Sequence, residues 1–445
     1  MDPKDNPSMQ RALVLQGGGA LGAYELGVLK VLCKKIAKES KINDSKGSPL
    51  FDVIAGTSIG AINAAVLIGN VINRNKSWEQ ALEELENFWT NEQNGLSSTP
   101  NFGKWWWARQ NPNIPSATEE ALEKYYSVKE FHKHGIPNVC WPLVPIPDYK
   151  FGDLENTWFV NNSEPLQNTI ERYTKQENSK KLRIATSWAR KEPRLLVISV
   201  DIAEGKTITF DSYHRKSEDS KNSVYDDSDG ITIDHIMASG TIPIFYKFRE
   251  IGGHQFCDGG ILSNTPFREL LQSHHDYWTT KTGENNNKIP DLEVYIINVH
   301  PSKINIDSVP KDYDGIKDRV NDIVYSDRNS HYDEMVTDLA TDYRDMIDKL
   351  IELTKSQLGK KEEINAFENE FESLLNKTRA KSKTDIGEDR TYKDLLKGRF
   401  RLTKIIRIEP ESYADSISGK GADFTSKTIK SLIEKGEKDA KTILK

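Results

Sequence analysis

The chain has 445 residues, with 61 basic and 67 acidic side chains, a formal net charge of −6 and a hydrophobic fraction of 36%. That length suits one α/β catalytic core with elaborations, and the mild acidity excludes a whole-molecule attraction to nucleic acid or to anionic lipid. Membrane contact, if any, has to be local and peripheral.

The expected elements alternate from the start. A strand over Ala12 to Gln16 leads to a helix from about Gly22 to Lys38, where Tyr24, Val28, Leu32 and Ile36 recur every four residues and give one apolar face. A second strand, Phe51 to Ala55, leads to a helix over Gly60 to Ile72, and two parallel strands with crossover helices follow. From about residue 77 to 180 the periodicity weakens and prolines and tryptophans accumulate, Trp105-Trp106-Trp107 among them. The prolines of Cys140 to Pro147 bar a central strand, so this stretch reads as an insertion. Strands resume at Leu182 to Thr186, Arg194 to Val200 and Thr207 to Phe210. A hairpin over Phe248 to Gln255 turns at Gly252-Gly253, and further strands are expected at Leu292 to Val299 and Lys404 to Ile408. Between these last two, Leu350, Ile351, Leu353 and Leu358, then Ile364, Phe367, Phe371 and Leu374, predict a helical pair in a densely charged segment.

The N-terminal residues lack a basic region leading into an apolar run. The helix candidate Ala61 to Ile72, broken by Asn63 and Asn70, is too short to span a bilayer. The expectation is a cytoplasmic protein without signal peptide or transmembrane helix. Cys33, Cys140 and Cys257 are odd in number and far apart, which predicts reduced thiols rather than a disulfide framework or a zinc site.

The chemistry centres on Gly56-Thr57-Ser58-Ile59-Gly60. A serine between strand and helix needs small neighbours, because the turn is sharp and brings the helix close to the strand. It also sits at the positive end of the helix dipole. Gly17-Gly18-Gly19-Ala20-Leu21-Gly22 follows the first strand and matches the dinucleotide-binding pattern G-x-G-x-x-G. The acid that such a site needs at the end of the second strand is missing: Asp52 opens that strand, and the serine turn closes it. The other use of three bare glycines is to aim backbone amides at an oxyanion near Ser58. The serine also needs a base. None of the nine histidines lies in a setting that marks it; His300, after its strand, is the best candidate for the chain order of an α/β-hydrolase triad, and a satisfied strand-end histidine is its ordinary reading. Asp258, in Asp258-Gly259-Gly260 beyond the hairpin, is the better base. Asp52, six positions before Ser58, is expected to brace the loop.

Together the glycine loop, the Gly-X-Ser-X-Gly elbow and the Asp-Gly-Gly, in that order, resemble the patatin-like phospholipase family. Ile236 to Phe245 is similar to the stretch leading to the family's aspartate, and Asn264-Thr265-Pro266 follows as in relatives. Asp423 to Ala440 is similar to the closing helix of microbial members, and Leu21 stands where many members carry Arg or Lys.

The resemblance implies a patatin-like three-layer α/β/α fold with a mostly parallel central sheet, an inserted aromatic segment and added C-terminal helices. The catalytic domain would span 8–300, with the insertion at about 77–180, and a mostly helical extension over 301–445 would pack on the core. The resemblance further implies a lipid acyl hydrolase with a Ser58–Asp258 dyad and an oxyanion hole from Gly17, Gly18, Gly19, Ala20 and Gly22. It calls for no cofactor and no metal, and the partners would be a lipid or acyl-ester substrate, not nucleic acid. The alternatives are an acyltransferase or an esterase on small soluble esters, a nucleotide-binding oxidoreductase, and a catalytically silent interaction protein. Oligomeric state is left open.

Overall fold

The computed structural model describes residues 7–39, 49–98, 124–125, 127–128, 131, 135–142, 161–176, 179–213, 230–243, 245–282, 289–326, 330–377, 392, 400–413 and 419–445. Trp105-Trp106-Trp107 and residues 143–147, singled out above, lie outside them.

Strand β1 (Met9–Leu15) runs into one 3-10 turn at Gly19–Leu21 and then helix α1 (Gly22–Glu39). Strand β2 (Val53–Thr57) follows, then helices α2 (Ile59–Ile72), α3 (Trp78–Thr90) and α4 (Glu164–Thr174). Strands β3 (Arg194–Asp201) and β4 (Lys206–Asp211) form a hairpin, and the short helix α5 (Ile233–Ser239) precedes a second hairpin of β5 (Arg249–Ile251) and β6 (His254–Asp258). Helix α6 (Phe267–Thr282), strand β7 (Asp291–Ile297) and helices α7 (Tyr313–Tyr325), α8 (Ser330–Gln357) and α9 (Lys361–Leu375) come next. Strand β8 (Leu402–Ile408) and helix α10 (Ser426–Ile443) end the series.

The eight strands form one mixed sheet in the order β8-β7-β1-β2-β3-β6-β5, with β4 added on β3. Its centre is parallel: Leu15 pairs with Gly56, and Gly56 with Val197. The β3 and β6 strands are antiparallel, with Asp258 opposite Ser199. All eight residues of β3 are buried, as a strand covered on both faces requires.

Two expected strands differ. The second begins at Val53 rather than Phe51, because the carboxylate of Asp52 accepts the Arg11 N–H at 2.7 Å and takes up a donor that a ladder partner would otherwise use. The stretch Leu182 to Thr186 yields only Arg183–Ile184. It stays out of the main sheet and pairs with Ile231–Thr232 in a separate ribbon. Trp141–Pro142 likewise forms a peripheral ribbon, with Asn161–Asn162.

The described chain resolves into two compact units. The smaller comprises Met1–Gln10, Leu271–Val294 and Asn329–Ile405. In it the buried Trp278 indole donates to Gln10 Oε1 at 2.8 Å, and Arg401 grips Asp345 of α8 with both contacts at 2.7 Å. The larger comprises Arg11–Leu270, Tyr295–Arg328 and Ile406–Lys445. There α1 lies against α10 with glycines at the crossing. A Cβ on Gly27 would come within 2.0 Å of Ile433 O, and one on Gly436 within 2.2 Å of Tyr24 O. Helix α2, buried over most of its length, packs on the sheet between α3 and α4.

Candidate active site

Register brings the serine and the acid together. Thr57, the last residue of β2, pairs with Ile198 of β3, and Asp258, the last of β6, pairs with the next residue, Ser199. The two side chains therefore leave the sheet at the same level on either side of β3, and Ser58 Oγ donates a hydrogen bond to Asp258 Oδ2 at 2.6 Å. Ser58 has φ 54° and ψ −123°, a conformation that costs an L-residue on the order of 1–3 kcal/mol and that lifts the hydroxyl out of the turn. Its glycine neighbours are steric necessities. A Cβ on Gly56 would sit 2.5 Å from Gly60 O, and one on Gly60 would sit 2.5 Å from Leu15 O.

Asp258 is buried, and burial pushes its carboxyl up to about 6. The Ser58 hydroxyl and the Gly260 N–H, donating at 2.7 Å to Oδ1, hold it partly down. A carboxylate so placed is a stronger base than an exposed one and still largely ionised at neutral pH. Gly259 passes close to β3, where its Cβ would meet Ile198 O at 2.6 Å. Ile59 is buried beside the serine, and Thr57 Oγ1 ties the elbow to Ser263 O at 2.9 Å.

The glycine loop faces the serine: a Cβ on Gly17 would lie 3.0 Å from Ser58 Cβ. The hydrogen bonds of the 3-10 turn start with Leu21 N–H to Gly18 O, and the Gly22 N–H serves Gly19 O and Ala20 O. Among the described residues the amides of Gly18, Gly19 and Ala20 donate none of these backbone hydrogen bonds, as at a helix start. The Gly17 amide, expected among the donors, bonds to Asn264 O at 3.1 Å, and that of Gly22 is spent within the turn. Gly19 has φ 59°, and Gly421 O would stand 2.3 Å from its Cβ, so the 419–422 segment backs directly onto the loop. Leu21 is buried in the core.

A cavity of about 490 Å³ opens beside Ser58 and Asp258, within the usual range for small-molecule sites. Its lining includes apolar Ile62, Phe131, Leu166, Ile242, Phe245 and Phe424 and polar His300, Lys317, Asn321, Tyr325 and Lys420. His300 does not reach the serine's hydrogen bond: its Nδ1 pairs with Asp322 Oδ1 at 3.0 Å, and Lys420 closes on the same carboxylate at 2.8 Å. Among the described residues Asp201, Glu204 and His254 could jointly offer ligand atoms to a metal ion. Asp201 is engaged by His254 at 2.6 Å and by the turn amides of Ala203 and Glu204, and that group stands at the opposite end of β6 from Asp258. The three cysteines are free and buried.

Residues 13–271, more than half of the chain, match the family profile described as Patatin-like phospholipase. The chain belongs to the patatin-like phospholipase family. A curated relative, the cGAMP-activated phospholipase of Escherichia coli (strain TW11681), is 23% identical over 299 residues. The match takes in 66% of this chain and spans 62% of that relative's length. Among solved structures, VipD from Legionella pneumophila aligns over 98% of this chain and 67% of its own, at 12% identity and a TM-score of 0.31. Full-length ExoU from Pseudomonas aeruginosa, solved with SpcU, aligns over 66% and 44%, at 13% identity and a TM-score of 0.25.

Three residues of this patatin-like site carry no mark in the sequence beyond their neighbourhood. Ser239 accepts the Ser58 N–H at 2.9 Å. Asn264 Nδ2 donates to Gly17 O at 3.1 Å while its own carbonyl accepts from Gly17. Gln16 uses one amide oxygen to accept from Val299 N–H and His300 N–H, both at 2.8 Å, and its NH₂ to reach Thr265 at 2.7 Å. The first two stand in segments already singled out, Ile236 to Phe245 and Asn264 to Pro266, so adjacency to a motif was their signal.

Proposed function

We propose that this chain hydrolyses carboxylic esters of acyl lipids, glycerophospholipids foremost, with Ser58 as nucleophile and Asp258 as its base. The observation that carries the proposal is the 2.6 Å hydrogen bond from Ser58 Oγ to Asp258 Oδ2 in the lining of a cavity that also carries apolar side chains. In the first step Asp258 takes the hydroxyl proton as Ser58 Oγ bonds to the ester carbonyl carbon. The carbonyl oxygen becomes an oxyanion, held by the amides of Gly18 and Gly19 with Ala20 beside them. Asp258 then returns the proton to the departing alkoxide. Water, deprotonated by the same carboxylate, attacks the acyl-serine carbonyl carbon; the bond to Ser58 Oγ breaks as Asp258 returns the proton to Oγ, and the fatty acid is released. A burial-raised carboxyl suits both halves, because a base near pH 7 is also a usable acid.

The surroundings of the cavity favour a lipid over a small soluble ester. Helix α7 lines the cavity with Lys317, Asn321 and Tyr325 and buries Asp318 and Asp322, while Ile316, Val320, Ile323 and Val324 on its adjoining face are 44–52% exposed. Ile261 and Leu262, just past Asp258, are 50% and 47% exposed, and Asn264 of the same loop donates to Tyr325 O at 2.8 Å. Apolar side chains around the mouth of an acyl-binding cavity suit a substrate drawn from an aggregate. No helix of the described residues is long and apolar enough to cross a membrane, so the contact we propose is peripheral. In this scheme 8–300 is the catalytic region, and 301–445 supplies α7, the 419–422 segment and α10.

The test is acid release from long-chain phospholipids and from short soluble esters by wild type, Ser58→Ala and Asp258→Asn, with mass detection. Loss of at least about a thousandfold in both variants, with the fold intact, supports the dyad. Survival of activity in either variant overturns it. Acyl transfer to an added alcohol in preference to water would favour the acyltransferase reading instead.

A further inference from the structure

Helix α8 carries an apolar seam that nothing in the described structure covers. Tyr332, Val336, Leu339, Tyr343, Met346, Leu350 and Leu353 are spaced alternately four and three residues apart, and each is 41–60% exposed. Seven consecutive places in a 4-3 alternation make three heptads with a period of 3.5, the period of a helix that packs along another helix. A helix buried against its own globule shows a broader 3.6-residue stripe facing inward. Here that inward role falls on another face, where Ile347 and Ile351 are half-buried.

The charges beside the seam select the occupant. With Val336, Tyr343 and Leu350 at position a and Leu339, Met346 and Leu353 at d, Asp342 and Lys349 fall on position g. A parallel pair would set them against the partner's Ile347 and Thr354, with no charge matched. An antiparallel pair aligns Val336 with the partner's Leu353 and Tyr343 with the partner's Met346. It sets Asp342 against the partner's Lys349, and two-fold symmetry repeats that pairing. A lipid surface fits less well. Asp338, Asp342, Asp348 and Glu352 are exposed along the helix with Lys349, so the face is acidic where an interfacial helix needs cations.

We infer that α8 is a dimerisation helix that joins two copies of this chain as an antiparallel coiled-coil pair about 33 Å long. The inference is independent of the catalytic reading. The mass of the full chain in solution, by sedimentation equilibrium over a micromolar concentration range, tests it. Wild type is expected to be a dimer, and Leu350→Lys a monomer with unchanged helix content by circular dichroism. Asp342→Lys and Lys349→Asp alone are each expected to weaken the dimer roughly tenfold, and the double variant Asp342→Lys/Lys349→Asp to restore it. The double variant keeps the test sharp should Leu350→Lys fold poorly. A monomeric wild type throughout the range, or a dimer indifferent to Leu350→Lys, overturns the inference. A double variant no tighter than the singles overturns the antiparallel pairing.

Discussion

The amide of Ser58 is held by the hydroxyl of Ser239, 2.9 Å away, and that hydroxyl in turn donates to Ile198 O of the strand between Ser58 and Asp258. The strained elbow is thereby pinned to the C-terminal end of α5. Ser239→Ala removes the acceptor and leaves a donor unpaired, at a cost of about 1–3 kcal/mol. We expect kcat to fall about tenfold or more while KM changes little, because the hydroxyl would lose position rather than substrate contact. Steady-state kinetics alongside thermal melts check this. A kcat within twofold of wild type would remove Ser239 from the positioning of the nucleophile.

In the proposed dyad the pH dependence of kcat/KM follows from Asp258. Its carboxyl stands at about 6, so the rate should rise through that pH as the base ionises and then level off. His300→Gln should preserve the shape of that limb, since His300 pairs with Asp322 rather than with Ser58. A limb that disappears in His300→Gln would transfer the role of base to the histidine.

The same burial gives a stability prediction whose sign is opposite to that of a salt-bridged carboxylate. Because the folded-state value is raised above 3.8, the native state keeps a proton that the unfolded chain has lost between pH 3.8 and about 6. Stability therefore falls as pH rises through that window and stays lower above it. Asp258→Asn should be more stable than wild type at pH 8, by on the order of 1–3 kcal/mol, with the gap closing at pH 4. Denaturant melts at the two pH values decide it. Glu25, fully buried and with its carboxyl held well above the usual range by burial, should respond in the same direction to Glu25→Gln.

Asn264 clamps Gly17 from both sides of the peptide. In Asn264→Ala the glycine loop keeps its hydrogen bond to the residue-264 carbonyl but loses the side-chain one. The neighbouring amides lose their fixed aim, and we expect kcat to drop by roughly ten- to a hundredfold, less than the loss of an oxyanion donor itself. Comparing that drop with the binding of a transition-state analogue separates loop position from folding.

The buried pair of Arg194 and Asp211, with Arg194 Nε 3.0 Å from Asp211 Oδ1, sits where β3 begins. Asp211→Ala would remove a buried carboxylate paired with this guanidinium and cost about 3–5 kcal/mol, whereas Lys206→Ala, on the exposed end of the same hairpin, should cost little. Urea melts of the two variants should differ accordingly.

The parts of the site legible in the sequence are those with a local steric cause. Gly56 and Gly60 are needed because the backbone passes within contact distance, and such needs leave glycines at fixed spacing. The alternation of strand and helix up to Ile72 was legible for the same reason: each element answers to its own periodicity. Long-range choices were not. Arg183–Ile184 looks like a core strand, yet its partner is Ile231–Thr232, some fifty residues on, and no local signal distinguishes that ribbon from the sheet. The amides at Gly18 and Gly19 could be foreseen as a group, but not the diversion of Gly17 to Asn264, which depends on a loop nearly 250 residues away.

The glycine crossing of α1 and α10 bears on how the molecule is made. Tyr24 Oη donates to Asp439 across 415 positions of chain, and the segment just before α10 lies against Gly18 and Gly19. A ribosome moving at roughly 5–20 residues per second needs about 20–80 seconds to travel from the first helix to the last. During that time the elbow serine can form while the glycine loop lacks its backing. The backing of the glycine loop by the 419–422 segment is therefore completed only after translation has passed that segment.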